Sequence, residues 1–129
     1  MAEMIRDMGF PVEYQTILPS DRNSIREELI RCADENKIKL ILTLGGTGFS
    51  KRDVTMEVTR EVLEKEVPGI PYLMMKEAVE ITPNAVLSRL TAGIRGRSLI
   101  INLPGKEKAA EEDLRAIQCI LEHAMLMLG

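Results

Sequence analysis

Ile38-Lys-Leu-Ile-Leu-Thr-Leu-Gly-Gly-Thr-Gly48 is the stretch whose reading decides the fold. Residues 38–44 are a nearly continuous apolar run of strand length, as a parallel strand covered on both faces requires. Gly45-Gly-Thr-Gly48 ends it abruptly. Beyond the glycines, Thr55 can cap a helix running to about Glu66 with Val58, Val62 and Leu63 on its apolar face, closed by Pro68-Gly69. Strand, glycine-rich turn and helix thus follow one another. Upstream, residues 12–18 alternate like a strand, and Pro19-Ser20-Asp21 breaks it and offers a cap to a helix whose apolar face is Ile25, Leu29, Ile30 and Ala33. Residues 1–8 read as the end of a helix stopped by Gly9. Downstream, residues 71–80 predict a helix, and Thr82-Pro83-Asn84 caps a short one ending near Ser88-Arg89. Residues 91–95 and 98–103 form a hairpin about Gly96, and 106–128 a long helix with the stripe Leu114, Ile117, Ile120, Leu121, Ala124 and Leu128. This alternation predicts an α/β fold in three layers, a mainly parallel sheet with helices on both faces, in one domain spanning 1–129. Ligands of such sheets bind beyond the carboxyl ends of the strands.

Bulk properties narrow the function. The chain has 129 residues, 45% of them apolar, enough for a core without metal or disulfide staples. A net charge of -3 speaks against nucleic acid or an anionic membrane surface as partner, because both reward an excess of Lys and Arg. Cys32 and Cys119 form no metal-ligand or CxxC pattern and read as free thiols of a reducing compartment. No apolar stretch is long enough to span a bilayer, so a cytoplasmic location is expected. The single histidine, His123, sits on the last helix, away from every turn, which excludes histidine-dependent triads.

The chemistry concentrates in two turns. Gly45, Gly46, Thr47 and Gly48 sit between a buried strand and a helix, where backbone N–H groups can meet a phosphate; the alternative is that the glycines only permit a tight turn. Phe49-Ser-Lys-Arg-Asp-Val-Thr55 follows, and Asp53 beside a phosphate loop suits Mg2+, which takes carboxylate and phosphate oxygens while keeping waters. Asp21, expected at the same sheet edge, either completes that metal site or caps its helix. In the second turn, Asn102-Leu-Pro-Gly105, Asn102 could hydrogen-bond a nucleobase or a pterin. Lys51, Arg52, Arg89, Arg95, Arg97, Lys106 and Lys108 surround these turns in sequence, a cationic mouth of which most members are expected merely to be solvated.

Thr43-Leu-Gly-Gly-Thr-Gly-Phe-Ser-Lys-Arg-Asp-Val-Thr55, Leu87-Ser-Arg89, Gly93-Ile-Arg-Gly96 and Leu99-Ile-Ile-Asn-Leu-Pro-Gly105, in this order, resemble the MoaB/Mog domain of molybdenum cofactor biosynthesis. That domain is found in bacterial molybdopterin adenylyltransferase and in the G domains of gephyrin and its plant counterpart. The resemblance covers essentially the whole chain. It implies Mg2+-dependent transfer of AMP from ATP to the terminal phosphate of molybdopterin, with release of pyrophosphate, in a homotrimer that could serve a downstream molybdenum-insertion protein. By motif, Gly45, Gly46, Thr47, Gly48 and Thr55 would hold nucleotide phosphate, and Asp53 and Asp21 would position metal and reacting groups. Ser88, Arg89 and Asn102 would face the pterin or nucleotide pocket, walled by Pro104 and Gly105.

Two departures from the family stand out. Met56 occupies the place of a proline, which removes some preorganisation of the helix start. The family pattern also opens with a central strand and a helix, and this sequence starts near the end of that helix, so the reading expects part of the pterin pocket to be absent. The alternatives it leaves are a non-catalytic molybdopterin-binding or trimeric scaffold module, an inactive fragment, and another enzyme of the same fold, such as the molybdate-inserting or competence-damage-like domain.

Overall fold

The computed structural model describes residues 1–129. In chain order the elements are α1 (Ala2–Asp7), α2 (Arg22–Ile30) with a π-helical extension Arg31–Glu35, β1 (Leu40–Leu44), α3 (Thr55–Val62) and β2 (Lys65–Glu66). After these come α4 (Gly69–Ala78), a 3-10 turn Pro83–Leu87, β3 (Ala92–Arg95), β4 (Ser98–Leu103) and α5 (Glu107–Leu128). The strands form one open sheet in the order β1-β4-β3-β2. β1 runs parallel to β4, with Leu40 opposite Leu99 and Leu44 opposite Leu103, while β3 is antiparallel to both β4 and β2. No helix is long and apolar enough to cross a membrane.

β4 explains the layering. All six of its residues are buried, and successive side chains leave opposite faces of the sheet. Leu99, Ile101 and Leu103 join Ile70 and Met74 of α4 and Ala110, Leu114, Ile117 and Leu121 of α5 in the main core, against which Met4, Ile5 and Met8 also pack. Ile100 points the other way, to Leu29, Cys32, Ala33, Ile41 and Val62 around α2 and α3. Helices therefore cover both faces, as the sequence predicts, but the sheet is mixed rather than mainly parallel: only β1–β4 is a parallel pair, because β3 and β4 are joined by a tight hairpin and β2 pairs antiparallel with β3. The stripe expected on α5 is the buried one at Leu114, Ile117 and Leu121.

Several boundaries differ from expectation. Residues 12–18 form no strand: no backbone hydrogen bond involves them, and Ile17 is 97% exposed. Their alternation matched a strand, but a strand needs a neighbour, and a cavity of about 1090 Å³ separates this segment from the open edge of β1. The helix expected to reach Glu66 stops at Val62, because Leu63 turns extended and Lys65–Glu66 pair with β3. Thr55 is the first helical residue rather than the cap, a position held by Val54. α4 begins two residues before Pro71, which tolerates its first turn because the N–H it lacks has no intrahelical partner there.

Gly93 lets β2 close on β3. A Cβ added there would lie 2.3 Å from the carbonyl oxygen of Lys65 and 2.6 Å from Leu63 Cδ1. Gly93→Ala is expected to destabilise the fold by about 1–3 kcal/mol, as overpacking does, read as a lowered urea midpoint. An unchanged midpoint would show that β2 moves aside freely.

Candidate active site at the carboxyl ends of the strands

The parallel pairing of β1 and β4 brings both predicted turns to one edge. The Gly45 N–H donates to the Leu103 carbonyl at 3.0 Å, and the Thr55 N–H reaches back to the Gly46 carbonyl at 3.3 Å. Gly45 and Gly46 take φ of +96° and +69°, where side chains with a Cβ are strained. A Cβ on Gly46 would also fall 2.0 Å from Thr55 Oγ1, and one on Gly48 2.9 Å from Asp53 Oδ2. The turn is closed by its own contacts.

Asp53 completes it. Its Oδ2 accepts from the Ser50 N–H at 3.0 Å and the Ser50 hydroxyl at 2.8 Å. These bonds to Ser50 hold the Asp53 carboxyl below its usual range, which keeps it ionised. Oδ1 stays free of them.

Arg89 fastens the turn to the rest of the molecule. Its Nε donates to the Gly48 carbonyl at 2.8 Å, its Nη2 to the Asp53 carbonyl at 2.7 Å, and its backbone N–H to the Thr47 carbonyl at 3.0 Å. Nη1 pairs with Glu57 Oε2. Burial pushes the Glu57 carboxyl up, but Arg89 outweighs it and leaves the pKa lowered; Glu57 Oε1 is buried without a partner. Arg89 is thus a fastening of the loop and lines neither of the cavities beside it.

The first turn stands between two cavities. One, of about 430 Å³, collects Thr47, Ser88, Pro104 and Gly105, together with Lys106 and Asp113. The other, of about 1090 Å³, collects Gly45, Gly46, Arg52 and Thr55. The structure therefore brings together most of the residues singled out from the sequence, and divides them between two neighbouring spaces.

Besides Arg89, which the sequence predicts to face the pocket, three expectations need correction. Asn102 lines neither cavity: it is wholly buried, its amide donates to Thr43 Oγ1 at 2.9 Å and Thr59 Oγ1 at 3.0 Å, and its oxygen accepts from the Thr91 N–H at 3.1 Å. The alternation along β4 sends it inward beneath the turn. Asp21 takes the capping alternative, accepting from the Ser24 N–H at 3.0 Å and the Ser24 hydroxyl at 2.9 Å, so Asp53 stands without it in the turn. Arg95 and Arg97 flank the hairpin turn at the opposite end of β4, where Arg95 binds Asp34, so they are no part of a cationic mouth. Cys32 and Cys119 are both free, as expected.

Sequence reasoning passed over Glu57 and Asp113. Both left a signal. Glu57 lies one helical turn after Asp53, and Asp113 interrupts the apolar spacing Ala110, Leu114, Ile117 of a core helix.

Comparison with known proteins fits this geometry. Residues 1–123 match the family described as "Probable molybdopterin binding domain". Molybdopterin adenylyltransferase of Helicobacter pylori (strain 26695) is 45% identical over 121 residues, 92% of this chain and 69% of that protein. Molybdenum cofactor synthesis protein cinnamon of Drosophila melanogaster is 44% identical over 113 residues, 88% of this chain but 19% of the fly protein. The chain thus spans about a fifth of cinnamon's length. Among solved structures, the molybdopterin biosynthesis enzyme MoaB of Thermus thermophilus superposes with a TM-score of 0.90 at 43% identity, over 98% of this chain and 82% of that one. A family match over nearly the whole chain, a relative of this identity and a shared three-layer fold agree, and the chain belongs to the molybdopterin-binding MoaB/Mog family of molybdenum cofactor biosynthesis.

Proposed function

We propose that this chain transfers the adenylyl group of ATP to the terminal phosphate of molybdopterin, residues 1–129 acting as one molybdopterin-binding domain. The observation that carries the reading is the position of the glycine turn between two cavities. A transfer between two phosphorylated substrates needs both phosphates at one point and their other ends in separate spaces. The smaller cavity, of about 430 Å³, lies within the range of small-molecule sites and takes the pterin beside Thr47, Ser88, Pro104 and Gly105. The nucleotide phosphates lie against Gly45, Gly46 and Thr55, with Arg52 nearby.

In the reaction a molybdopterin phosphate oxygen bonds to the α-phosphorus of ATP, the bond from that phosphorus to the bridging oxygen breaks, and pyrophosphate leaves. Such chemistry depends mainly on positioning and charge neutralisation, so no covalent nucleophile is required. The turn supplies donors that cost no reorganisation, because Arg89 and the Thr55 N–H already hold its carbonyls. Asp53, ionised and with Oδ1 unspent, is the residue that would hold Mg2+, and one carboxylate fits a cation that fills its sphere with phosphate oxygens and water. Bound there, Mg2+ would neutralise phosphate charge. Asp21 remains a helix cap in this reading.

Phe49, Ile81, Val86 and Leu87, beside the site's segments, are exposed apolar side chains of a kind that association covers, in keeping with a homotrimer. Light scattering is expected to return three chain masses, and a monomeric mass at micromolar concentration would remove that part of the reading. Incubation with molybdopterin, ATP and Mg2+ is expected to yield adenylyl-molybdopterin by chromatography; binding of both substrates without product would favour a non-catalytic module. Asp53→Asn should lower kcat by about 100-fold, the scale of losing one electrostatic group, with pterin affinity nearly unchanged. Equal loss of both would make Asp53 a structural element of the turn.

A further inference from the structure

One buried charged group has no part in the chemistry above. Asp113, in the second turn of α5, is 6% exposed, yet its carboxylate has neither an ion pair nor a hydrogen bond, and it lines the smaller cavity with Thr47, Ser88 and Gly105. A buried carboxylate is normally paired, because desolvation of the ionised form is costly. The other ionisable groups around that cavity are Lys106, which is exposed, and Glu112, which is half-buried. Burial, and then the like charge of Glu112, raise the Asp113 carboxyl from the ordinary 3.8 to about 6. An unpartnered acceptor held at a cavity wall marks where a ligand brings donors.

We infer that Asp113 determines specificity in this cavity by accepting two hydrogen bonds from the 2-amino-4-oxopyrimidine end of a pterin. The inference rests on the functional reading above, since that reading puts a pterin in this cavity. The ring presents N3–H and the 2-amino group side by side, two donors with the spacing of two carboxylate oxygens. Charge-assisted bidentate pairs of this kind are among the strongest polar contacts. A pteridine with a 2-oxo group instead presents a donor and an acceptor, and its 2-oxygen would face the carboxylate with like charge. Asparagine reverses the match, because its amide offers one acceptor and one donor. Asp113 is therefore a positioning and selecting group for the ring end of the ligand.

The test uses two probes, neopterin and its 2-oxo counterpart (a lumazine with the same side chain), followed by their own fluorescence, which a chain without tryptophan does not obscure. Wild type is expected to prefer the pterin by about tenfold or more, the discrimination typical of a bidentate contact, and Asp113→Asn to prefer the lumazine. The wild-type preference should grow as pH rises through about 6, where the carboxyl loses its proton. The variant also reports on the free protein. The raised native pKa means that the folded state holds the proton between pH 3.8 and about 6, so the wild type loses stability as pH rises through that window. Asp113→Asn should therefore raise Tm at pH 8 and change it less at pH 4.

The same preference in both proteins overturns the inference, as does the absence of saturable binding of either probe to wild type. Formation of adenylyl-molybdopterin by that same preparation would then show that the functional reading survives alone. A specificity switch without any product would do the reverse, keeping Asp113 as a pterin selector and removing the transferase reading.

Discussion

The functional edge depends on the close backbone approach of Gly45 and Gly105. β1 and β4 run parallel and in register, so Leu44 and Leu103 end side by side and the chain must leave both strands at one place. A Cβ on Gly105 would lie 3.3 Å from the Cα of Gly45, tighter than most such contacts, and the Gly45 N–H bonds the Leu103 carbonyl. A side chain on Gly105 would push Gly45 away by a few tenths of an ångström, and one on Gly45 would be strained by its φ of +96°. Glycine at both places keeps the two turns together without that cost.

What holds this edge rigid is polar and lies underneath it. Asn102 spends its amide on β1, through Thr43, and on α3, through Thr59, while its oxygen accepts from Thr91 next to β3. Buried amides with every donor used specify a geometry strongly, because any displacement leaves a desolvated group unpaired. Arg89 acts from the side in the same way, tying the carbonyls of Thr47, Gly48 and Asp53 to Glu57 on α3. A glycine turn is intrinsically flexible, and these two side chains remove that freedom before any ligand arrives. Preorganisation of this kind matters more for phosphate chemistry than reactive side chains do.

Charge in this acidic protein is correspondingly local. Most arginines serve ion pairs: Arg22 and Arg26 meet Glu61, Arg31 meets Glu28, Arg60 meets Glu66, Arg89 meets Glu57, and Arg95 meets Asp34. Exposed pairs of this sort add little stability. An anion at the turn would meet oriented N–H groups and the few cations beside it. The smaller cavity sets the polar groups of Ser88 and Asp113 in an apolar wall of Pro71, Met75 and Leu90.

The sequence by itself determined the class of fold and where a candidate site lies, because both follow from local pattern. An apolar run before Gly45, a hairpin about Gly96 and the stripe on α5 depend on periodicity and backbone freedom, which a linear reading sees. The family motifs, likewise, are contiguous. Tertiary structure alone decided what depends on neighbours far apart in the chain. Residues 12–18 have a strand's alternation but no adjoining strand to bond, so they stay irregular. Asn102 looks like a ligand contact until the pleat of β4 turns it into the interior, and Asp21 looks like a metal ligand until Ser24 claims it as a cap. Arg95 and Arg97 sit near the site in sequence and at the other end of the sheet in space, since a hairpin reverses direction. Asp113 breaks the apolar spacing of α5 in the sequence, but its lack of a partner shows only when the wall of the cavity is assembled, because the cost of an unpaired carboxylate depends on the burial that distant elements impose.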